Sequence, residues 1–317
     1  MNIGIYSLLQ RKQIKGVKKL KKKSNFSGQI GFVLAAAGSA VGVGNLWRFP
    51  YLVARDGGGL FLIIYLVLVL TFGFTLLTTD IAIGRKTGQS AIKAYETMRP
   101  GWKKLGFLTF LVPVLIMTYY AVIGGWILKY FIVFLTGASG DAAKDTYFTG
   151  FITNTSSVWF GLIFMFVTAL IVYNGVEGGI ERCSKFIMPV LLIMVVGIAV
   201  FSLTLKSKGA DGVVRTGLDG LKVYLIPDVS GLTVSKFLQI ALDAMSQLFF
   251  SLSVSMGIMI TYGSYVKKEV DLNKSVAQIE VVDTAVAFLA GIMIIPAIYV
   301  FSGMEGMSAG PSLMFVA

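Results

Sequence analysis

Residues 34–51 read LAAAGSAVGVGNLWRFPY, and this stretch decides the fold. It is apolar enough to enter a bilayer, but its middle works against a regular helix. Gly38, Gly42 and Gly44 each disfavour helix by about 1 kcal/mol relative to alanine, and Ser39 and Asn45 compete for backbone hydrogen bonds. A helix interrupted inside a membrane is tolerated where its freed backbone groups face a cavity, an ion or a ligand. The stretch therefore predicts a functional site.

The composition is that of a polytopic membrane protein. Of the 317 residues, 56% are hydrophobic and 14% are charged, and apolar runs long enough to span a bilayer recur. The net charge of +12 comes largely from basic clusters in the tail and in the loop 84–104. The positive-inside rule explains such clusters, so we expect contact with membrane lipid and no nucleic-acid partner. Histidine is absent and cysteine occurs once, which excludes an intrachain disulfide and the commonest general base.

Seven spans are predicted, starting from an N-terminus in the cytoplasm of a cell whose plasma membrane holds the protein. Residues 1–26 form a basic cytoplasmic tail without the pattern of a secretory signal, and residues 27–317 form the transmembrane domain. The predicted spans cover residues 27–54, 60–83, 105–135, 158–173, 186–205, 237–264 and 275–301. The segments 84–104, 174–185 and 265–274 are expected to be cytoplasmic loops, and the segments 136–157 and 206–236 to lie outside.

The sixth span contains a second interruption, because Ser251, Ser253, Ser255 and Gly257 fall within one crossing. Paired interrupted helices in corresponding halves are typical of inverted-repeat transporters. If spans one and six correspond, the repeat unit is five spans. The first repeat then covers about 27–205 and the second begins at about 237–317. A complete pair needs ten spans, and the seven predicted here would be spans 1–7 of an expected ten to twelve, so we expect the chain to be truncated at its C-terminal side.

Three motifs together resemble the neurotransmitter:sodium symporter family, in its bacterial amino-acid transporter branch. They are GVGNLWRFPY at 42–51, QLFFSLS at 247–253 followed by ITYGSY at 260–265, and GIER at 179–182. The resemblance implies an all-α, LeuT-like inverted-repeat fold with broken helices in spans one and six. It also implies sodium-coupled symport of a small zwitterionic amino acid by alternating access, so the protein is not expected to be an enzyme.

The resemblance implies ligands for two sodium ions. The Ala40 carbonyl, the Asn45 side-chain oxygen and Ser251 would hold the first ion. The Gly38 and Val41 carbonyls would hold the second, whose remaining ligands lie on span eight in the family.

Asp283 is the strongest single candidate for a functional residue, because a charge at membrane depth is costly and usually functional. The family often has asparagine here, as a ligand of the first sodium ion. Chloride-dependent relatives have a serine where this chain has Ala287. We therefore expect Asp283 to bind sodium and also to replace chloride, which would then not be required.

The substrate site is expected beside the break in span one. The second half of that span starts near Gly44, where free N–H groups and the positive end of the helix dipole can receive a carboxylate. By resemblance, the donors are the Val43 and Gly44 amides and the Tyr120 hydroxyl. Gly42 stands where monoamine transporters carry an aspartate, so the substrate is expected to bring its own carboxylate. The other substrate-binding residues implied by the resemblance are Ala40, Ile116, Phe250, Ser251, Ser253 and Met256.

Two gates complete the predicted site, Arg48 on the outer side and Tyr265 on the inner side. At the inner mouth, Phe26 and Gln29 replace the tryptophan and arginine usual in the family, and Lys23 is the candidate gate cation. Three alternatives stay open. The protein could be a sodium-dependent amino-acid sensor or binding protein, or an inactive fragment of a transporter. Within transport, the substrate could be a betaine- or GABA-like zwitterion.

Overall fold

The computed structural model describes residues 25–142, 146–208 and 212–306. Nearly all of the predicted basic tail, including Lys23, lies outside the described residues. Within the described ranges, five helices are long and apolar enough to cross a membrane, and a further crossing is formed by a pair of helices bent by 46°. The predicted all-α membrane architecture is therefore present.

The helices follow the predicted spans and are numbered here along the chain. Spans one to three and the segment after span two contain α1 (Gln29–Ala40), α2 (Phe49–Arg55), α3 (Gly59–Leu68), α4 (Phe74–Thr87), α5 (Ala91–Met98) and α6 (Lys103–Leu135). The outer segment and spans four and five contain α7 (Ser139–Ala142), α8 (Tyr147–Ile152), α9 (Ser156–Tyr173) and α10 (Arg182–Thr204). The remaining elements are β1 (Lys206–Lys208), β2 (Val214–Thr216), α11 (Gly217–Leu225), α12 (Val234–Ser251), α13 (Ile258–Gly263) and α14 (Leu272–Gly306). Single π-helical turns occur at Gly44–Arg48, Val69–Gly73 and Val176–Glu181.

Span six is broken, as its serine and glycine content predicts, and its break is wider than that of span one. The α12 helix ends at Ser251 and the α13 helix begins at Ile258. With 18 residues that include Lys236 and Asp243, α12 is not among the helices both long and apolar enough to cross a membrane, and α13 has only 6 residues. Between them, Ser253 and Ser255 have φ of 53° and 61°, a left-handed conformation uncommon for residues with a side chain. This is the reason that the described chain shows up to six apolar crossings where seven are predicted.

Spans one, two, six and seven form the core, and spans three and four lie at its side. Half of the most apolar window of span seven is buried, whereas none of that of span four is. Each core span contributes to one buried apolar cluster, for example through Phe49, Tyr65, Leu248 and Ile279. Spans three and four pack on each other, where Gly125 lies against the Gly161 backbone, because small residues allow membrane helices to approach closely.

Two glycines fix the inner half of span six against span two. A Cβ atom at Gly84 would overlap the Ile260 carbonyl, and one at Gly263 would overlap the Ile81 carbonyl. The short α13 helix therefore lies backbone to backbone with α4. This packing sets the position of the break that precedes α13.

Three segments predicted as loops contain secondary structure. The segment 84–104, predicted from its basic residues to be a cytoplasmic loop, contains α5, which buries Ala91 and Ala94 and packs on α6. The segment 136–157, predicted to lie outside, contains α7 and α8, and the segment 206–236 contains α11 and an antiparallel pair of β1 with β2. Thr216 caps α11 by accepting the Asp219 amide. Hydrogen bonding from Thr216 and contact with Lys222 lower the pKa of Asp219.

Candidate functional site

The two broken spans meet span seven at a buried polar cluster formed by Asn45, Ser251 and Asp283. Their side chains are 0%, 1% and 0% exposed. Asn45 Nδ2 donates to Asp283 Oδ1 at 2.8 Å and to the Asp283 carbonyl at 3.1 Å. Ser251 Oγ lies 2.9 and 3.0 Å from the two carboxylate oxygens and 3.3 Å from Asn45 Oδ1. The structure thus brings these three predicted sodium ligands together, and their role as ligands stays a prediction.

The backbone freed by the break in span one is satisfied by residues of the site itself. The Gly42 amide donates to Asn45 Oδ1 at 3.2 Å, which closes the break locally. From span six, Gln247 Nε2 donates to the Gly44 carbonyl at 3.1 Å. Such partners are what a non-helical segment needs at membrane depth, so Asn45 of the cluster and Gln247 of span six stabilise the break.

The carbonyls predicted for the second ion lie where α1 ends. The helix stops at Ala40, and Val41 has an extended backbone with φ −74° and ψ 105°. The last carbonyls of a helix have no intrahelical partner, which suits the Gly38 carbonyl to a role as ligand, and Val41, the other residue predicted for the second ion, is the C-cap of the same helix. Gly38 faces span five, where Ser184 Oγ is 3.1 Å from the position of an added Cβ.

An aromatic side chain covers the second half of the break. The Phe250 ring packs edge-on against Tyr120, with 6.0 Å between ring centroids. A Cβ atom at Gly44 would be 2.9 Å from the Phe250 ring, so glycine is needed for this approach. Beside it, no described atom lies within 4 Å of an added Cβ at Gly42. The break is therefore covered at Gly44 and borders open space at Gly42.

Two arginines connect the outer end of span one to span six. Arg48 Nη2 donates to Ser246 Oγ at 2.9 Å, and its guanidinium carbon lies 5.6 Å from the Phe250 ring centroid, within range of a cation–π contact. Arg55 forms an ion pair with Asp243. Arg48 thus lies directly over the aromatic cover, as the outer gate prediction requires, although its gating role stays a prediction.

The remaining predicted substrate residues surround the two breaks. Ser253 is buried within the break of span six, and Val43 precedes the π-helical turn of span one. Ile116 lies half-buried on span three, one helical turn before the predicted tyrosine donor. Met256 lines a cavity of about 360 Å³ together with residues of α5 and span three, on the side of the break predicted to face the cytoplasm. None of these placements by itself establishes contact with a substrate.

At the inner mouth, Tyr265 contacts the segment before span one through its backbone. Its carbonyl accepts the Phe26 amide at 3.2 Å. Phe26 is 1% exposed and packs edge-on to Tyr262 at 5.9 Å, so it fills the position where the family usually has tryptophan. Gln29 Nε2 donates to Gln278 at 3.2 Å.

Two buried carboxyl groups near the breaks were missed by the sequence prediction. Asp80 Oδ2 accepts the Ser255 amide at 2.8 Å and so supports the break of span six. Glu280 lies one helical turn before Asp283, and its Oε1 atom has no hydrogen-bond partner among the described residues. Both residues could have been found in the sequence, because each is an acidic residue inside an apolar run, which is the pattern that identified Asp283.

The chemistry of the cluster suits a small hard cation. No basic side chain within the described ranges forms an ion pair with Asp283, and a buried carboxylate needs a compensating charge. The side chains hydrogen-bonded to this carboxylate, Asn45 and Ser251, carry amide and hydroxyl oxygens, which are hard ligands. These features favour an alkali cation over a transition metal.

The fold defines a polytopic α-helical membrane protein with two broken helices, which meet at a buried polar cluster. The chain belongs to the sodium:neurotransmitter symporter family, whose model matches residues 23–155 and 145–317. It is similar to an uncharacterized sodium-dependent transporter of Bacillus subtilis, with 34% identity over 93% of this chain and 63% of the relative. A sodium- and chloride-dependent taurine transporter of Canis lupus familiaris is 25% identical over 93% of this chain and 54% of the relative.

A solved structure supports the fold in the same way. The crystal structure of MhsT in complex with L-phenylalanine matches with a TM-score of 0.76 and 35% identity, over 93% of this chain and 65% of that chain. The chain thus spans between 54% and 65% of the length of these relatives. The match confirms the predicted LeuT-like fold, and members of the family are transporters rather than enzymes.

Proposed function

We propose that this chain forms the sodium- and substrate-binding core of a symporter for an amino-acid-type substrate. The observation that carries the proposal is the buried cluster of Asn45, Ser251 and Asp283, where two broken helices meet a carboxylate that has no basic partner among the described residues. Family membership supports sodium as the coupling ion. In this proposal the first ion binds to these three side chains and to the Ala40 carbonyl, and the second to carbonyls at the end of α1.

The cluster offers a physical basis for coupling. In the present arrangement Asn45 and Ser251 satisfy Asp283 directly. A sodium ion replaces part of these internal hydrogen bonds by ion–oxygen contacts that hold spans one, six and seven in one arrangement. A ligand shifts an equilibrium only by its differential affinity for the two states. The ion therefore favours the arrangement in which the two breaks are ordered, and a substrate that binds the same breaks shares this preference.

The substrate side of the site supports an amino acid. We place the carboxylate at the Val43 and Gly44 amides and the Tyr120 hydroxyl, and the amine at the carbonyls of the breaks and Ser253. The open space at Gly42 holds no acidic side chain that could pair with an amine. The related MhsT was crystallised with L-phenylalanine, which supports an apolar or aromatic substrate side chain.

A second substrate class is a zwitterion such as a betaine, GABA or taurine. It is favoured by the similarity to a transporter named for taurine, since the same backbone amides can receive a carboxylate or a sulfonate. The amino-acid relative has the higher identity and the higher coverage of its own chain, so the amino acid is the first choice.

We further propose that chloride is not required. Asp283 already supplies a negative charge inside the cluster, and the buried Ala287 has no hydroxyl with which to hold an anion. Replacement of chloride by gluconate should therefore leave sodium-dependent binding unchanged. A chloride requirement would refute this part of the proposal and leave sodium coupling intact.

The orientation and division of the chain remain part of the proposal. The basic residues of 84–104 favour a cytoplasmic position for this segment and hence a cytoplasmic N-terminus. The two repeats, about 27–205 and 237–317, would each start with a broken span. Arg48 is proposed to act as the outer gate and Tyr265 as the inner gate.

Transport is tested with the 317-residue chain in sealed proteoliposomes. Labelled L-phenylalanine should accumulate under an inward sodium gradient and fail to accumulate when potassium replaces sodium. Sodium-dependent binding without accumulation would favour the sensor function over transport. An absence of both binding and accumulation would refute the proposed activity for this chain. Thermal-shift measurements with amino acids, betaine, GABA and taurine, each with and without sodium, would then rank the substrates.

A further inference from the structure

A polar cluster around Glu181 holds the segment that precedes span one. The Glu181 side chain is 1% exposed, although it follows a predicted cytoplasmic turn. The Ser27 amide donates to Glu181 Oε2 at 2.9 Å, and the Ser27 hydroxyl contacts Oε1. Lys185 Nζ lies 2.6 Å from Oε1 and 3.1 Å from Ser27 Oγ. One carboxylate therefore accepts from three donors and connects the chain before α1 to the loop between spans four and five.

The same segment is held from a second side by the loop between spans six and seven. Lys267 Nζ donates to the Ser27 carbonyl at 2.9 Å, and the Tyr265 carbonyl accepts the Phe26 amide at 3.2 Å. Phe26 and Ser27 are thus fixed between two cytoplasmic loops that belong to different parts of the fold. We call this set of contacts the Glu181 latch.

The local sequence explains why Glu181 reaches α1. It ends the π-helical turn Val176–Glu181, and an added Cβ at Gly31 would overlap its carboxylate, so the close approach depends on glycine in the first turn of α1. That helix has no side-chain cap and no acidic residue of its own in the first turn. Glu181 therefore supplies the negative charge that the amino end of a helix favours.

We propose that Glu181 is a positioning residue that keeps α1, the inner half of span one, closed against the cytoplasmic loops. The proposal rests on the proposed transport function, because α1 carries the carbonyls of Gly38 and Ala40. The break after Ala40 separates α1 from α2 with a 46° bend, so α1 can move without the outer half. Release of the latch would then open the cytoplasmic side of the site.

The contacts suit a latch that opens reversibly. Charge-assisted hydrogen bonds are among the stronger side-chain interactions, yet Lys185 is 44% exposed, so water can replace its contact when α1 moves. The contacts of the Glu181 latch join the segment before α1 to two loops, the loop between spans four and five and the loop between spans six and seven. Movement of α1 therefore breaks all of its contacts together, which makes the closed state well defined.

The test compares Glu181→Gln with Glu177→Gln by hydrogen exchange and mass spectrometry, with both proteins in lipid nanodiscs. Glu177 lies in the same π-helical turn but is exposed, so it is a matched control. In E181Q we expect amides of residues 27–40 to exchange about tenfold faster, because the loss of charge-assisted hydrogen bonds favours the open state. Residues 49–55 should be unchanged, and E177Q should match the unsubstituted chain.

Two outcomes would overturn the proposal. Exchange in residues 27–40 could be the same in E181Q as in the unsubstituted chain, or it could rise equally in every span, which would indicate a general loss of stability. A second variant, Lys267→Met, removes only the donor to the Ser27 carbonyl and should accelerate the same residues to a smaller extent. If it accelerates none of them, the second side of the latch is refuted.

The effect of sodium on hydrogen exchange distinguishes a failure of the latch from a failure of the proposed transport function. If both hold, adding sodium chloride slows exchange in residues 27–40 relative to potassium chloride, and it does so in E181Q as well. If E181Q speeds local exchange but sodium has no effect on either protein, the latch is supported and sodium coupling fails. If sodium protects both proteins equally and E181Q exchanges like the unsubstituted chain, sodium coupling is supported and the latch fails.

Discussion

Replacement of Asp283 by asparagine tests the ion-binding centre directly. The substitution keeps the size of the side chain and removes its charge. Asp283 accepts from Asn45 Nδ2 at 2.8 Å and from Ser251 Oγ at 2.9 Å, and an asparagine oxygen can still accept from one of them. Because a buried carboxylate without a cation is costly, we expect D283N to be at least as stable as the unsubstituted chain when sodium is absent.

The effect on sodium binding has the opposite sign. Two unit charges 4 Å apart interact by about 4 kcal/mol at an effective dielectric constant of 20. The amide oxygen retains part of the contact, so we expect the loss to be about 2 to 3 kcal/mol, roughly 30- to 150-fold in affinity. At a sodium concentration of about 100 times the dissociation constant, the unsubstituted chain gains about 2.7 kcal/mol. A variant that binds about 100-fold more weakly gains only about 0.4 kcal/mol.

Thermal unfolding in sodium chloride and in potassium chloride of equal ionic strength measures this difference. At an unfolding entropy of about 2.1 cal/mol/K per residue, a gain of about 2.7 kcal/mol corresponds to roughly 4 °C for a chain of 317 residues, and about 0.4 kcal/mol to less than about 1 °C. Asp228→Asn is the control, since Asp228 is exposed and hydrogen bonds from Ser230 lower its pKa, so it is charged at neutral pH. A sodium-dependent shift in D283N equal to that of the unsubstituted chain would refute Asp283 as a sodium ligand.

Three further substitutions test other parts of the site. Gly42→Asp fits the open space at this position and should weaken binding of a carboxylate-bearing substrate about tenfold by repulsion; unchanged binding would show that the substrate carboxylate lies elsewhere. Tyr120→Phe keeps the aromatic contact but loses the hydroxyl, so amino-acid affinity should fall about tenfold while the sodium-induced thermal shift stays the same. Gly84→Ala pushes a Cβ into the Ile260 carbonyl and should lower the free energy of unfolding by about 1–3 kcal/mol. The control Gly197→Ala, which has open space, should be neutral or stabilising by up to about 1 kcal/mol, and equal melting temperatures of these two variants would contradict the packing argument.

The breaks could be predicted from sequence because the residues that cause them act locally. Gly38, Gly42 and Gly44 disfavour helix at their own positions, and the structure places the break of span one at 41–43. In span six, serines and Gly257 predict an interruption that the structure places at 252–257. The width of this second break was not predictable, because it depends on packing between spans two and six and on the Asp80 carboxylate beneath Ser255.

The contacts between distant residues could not be derived from local pattern. That Asn45 and Asp283 lie together was expected only from the resemblance to the family, since they are separated by 238 positions. The sequence identifies Glu181 as part of the GIER motif but does not indicate that its side chain reaches Ser27. The helix α5 could not be predicted because the basic residues of this segment indicate its side of the membrane, and charge alone does not distinguish a loop from an exposed helix.

The distribution of polar groups over the three spans explains how such a site can move. Span seven runs unbroken past Asp283, whereas the neutral partners Asn45 and Ser251 lie at the ends of broken helices. Moving a buried carboxylate through an apolar core costs far more than moving an amide or a hydroxyl, since a charge loses much more solvation. The rigid helix therefore keeps the charge in place while the broken helices carry only dipoles. Under the proposed function, the site would rearrange around a stationary carboxylate, and the charge that crosses the membrane would be the charge of the sodium ion.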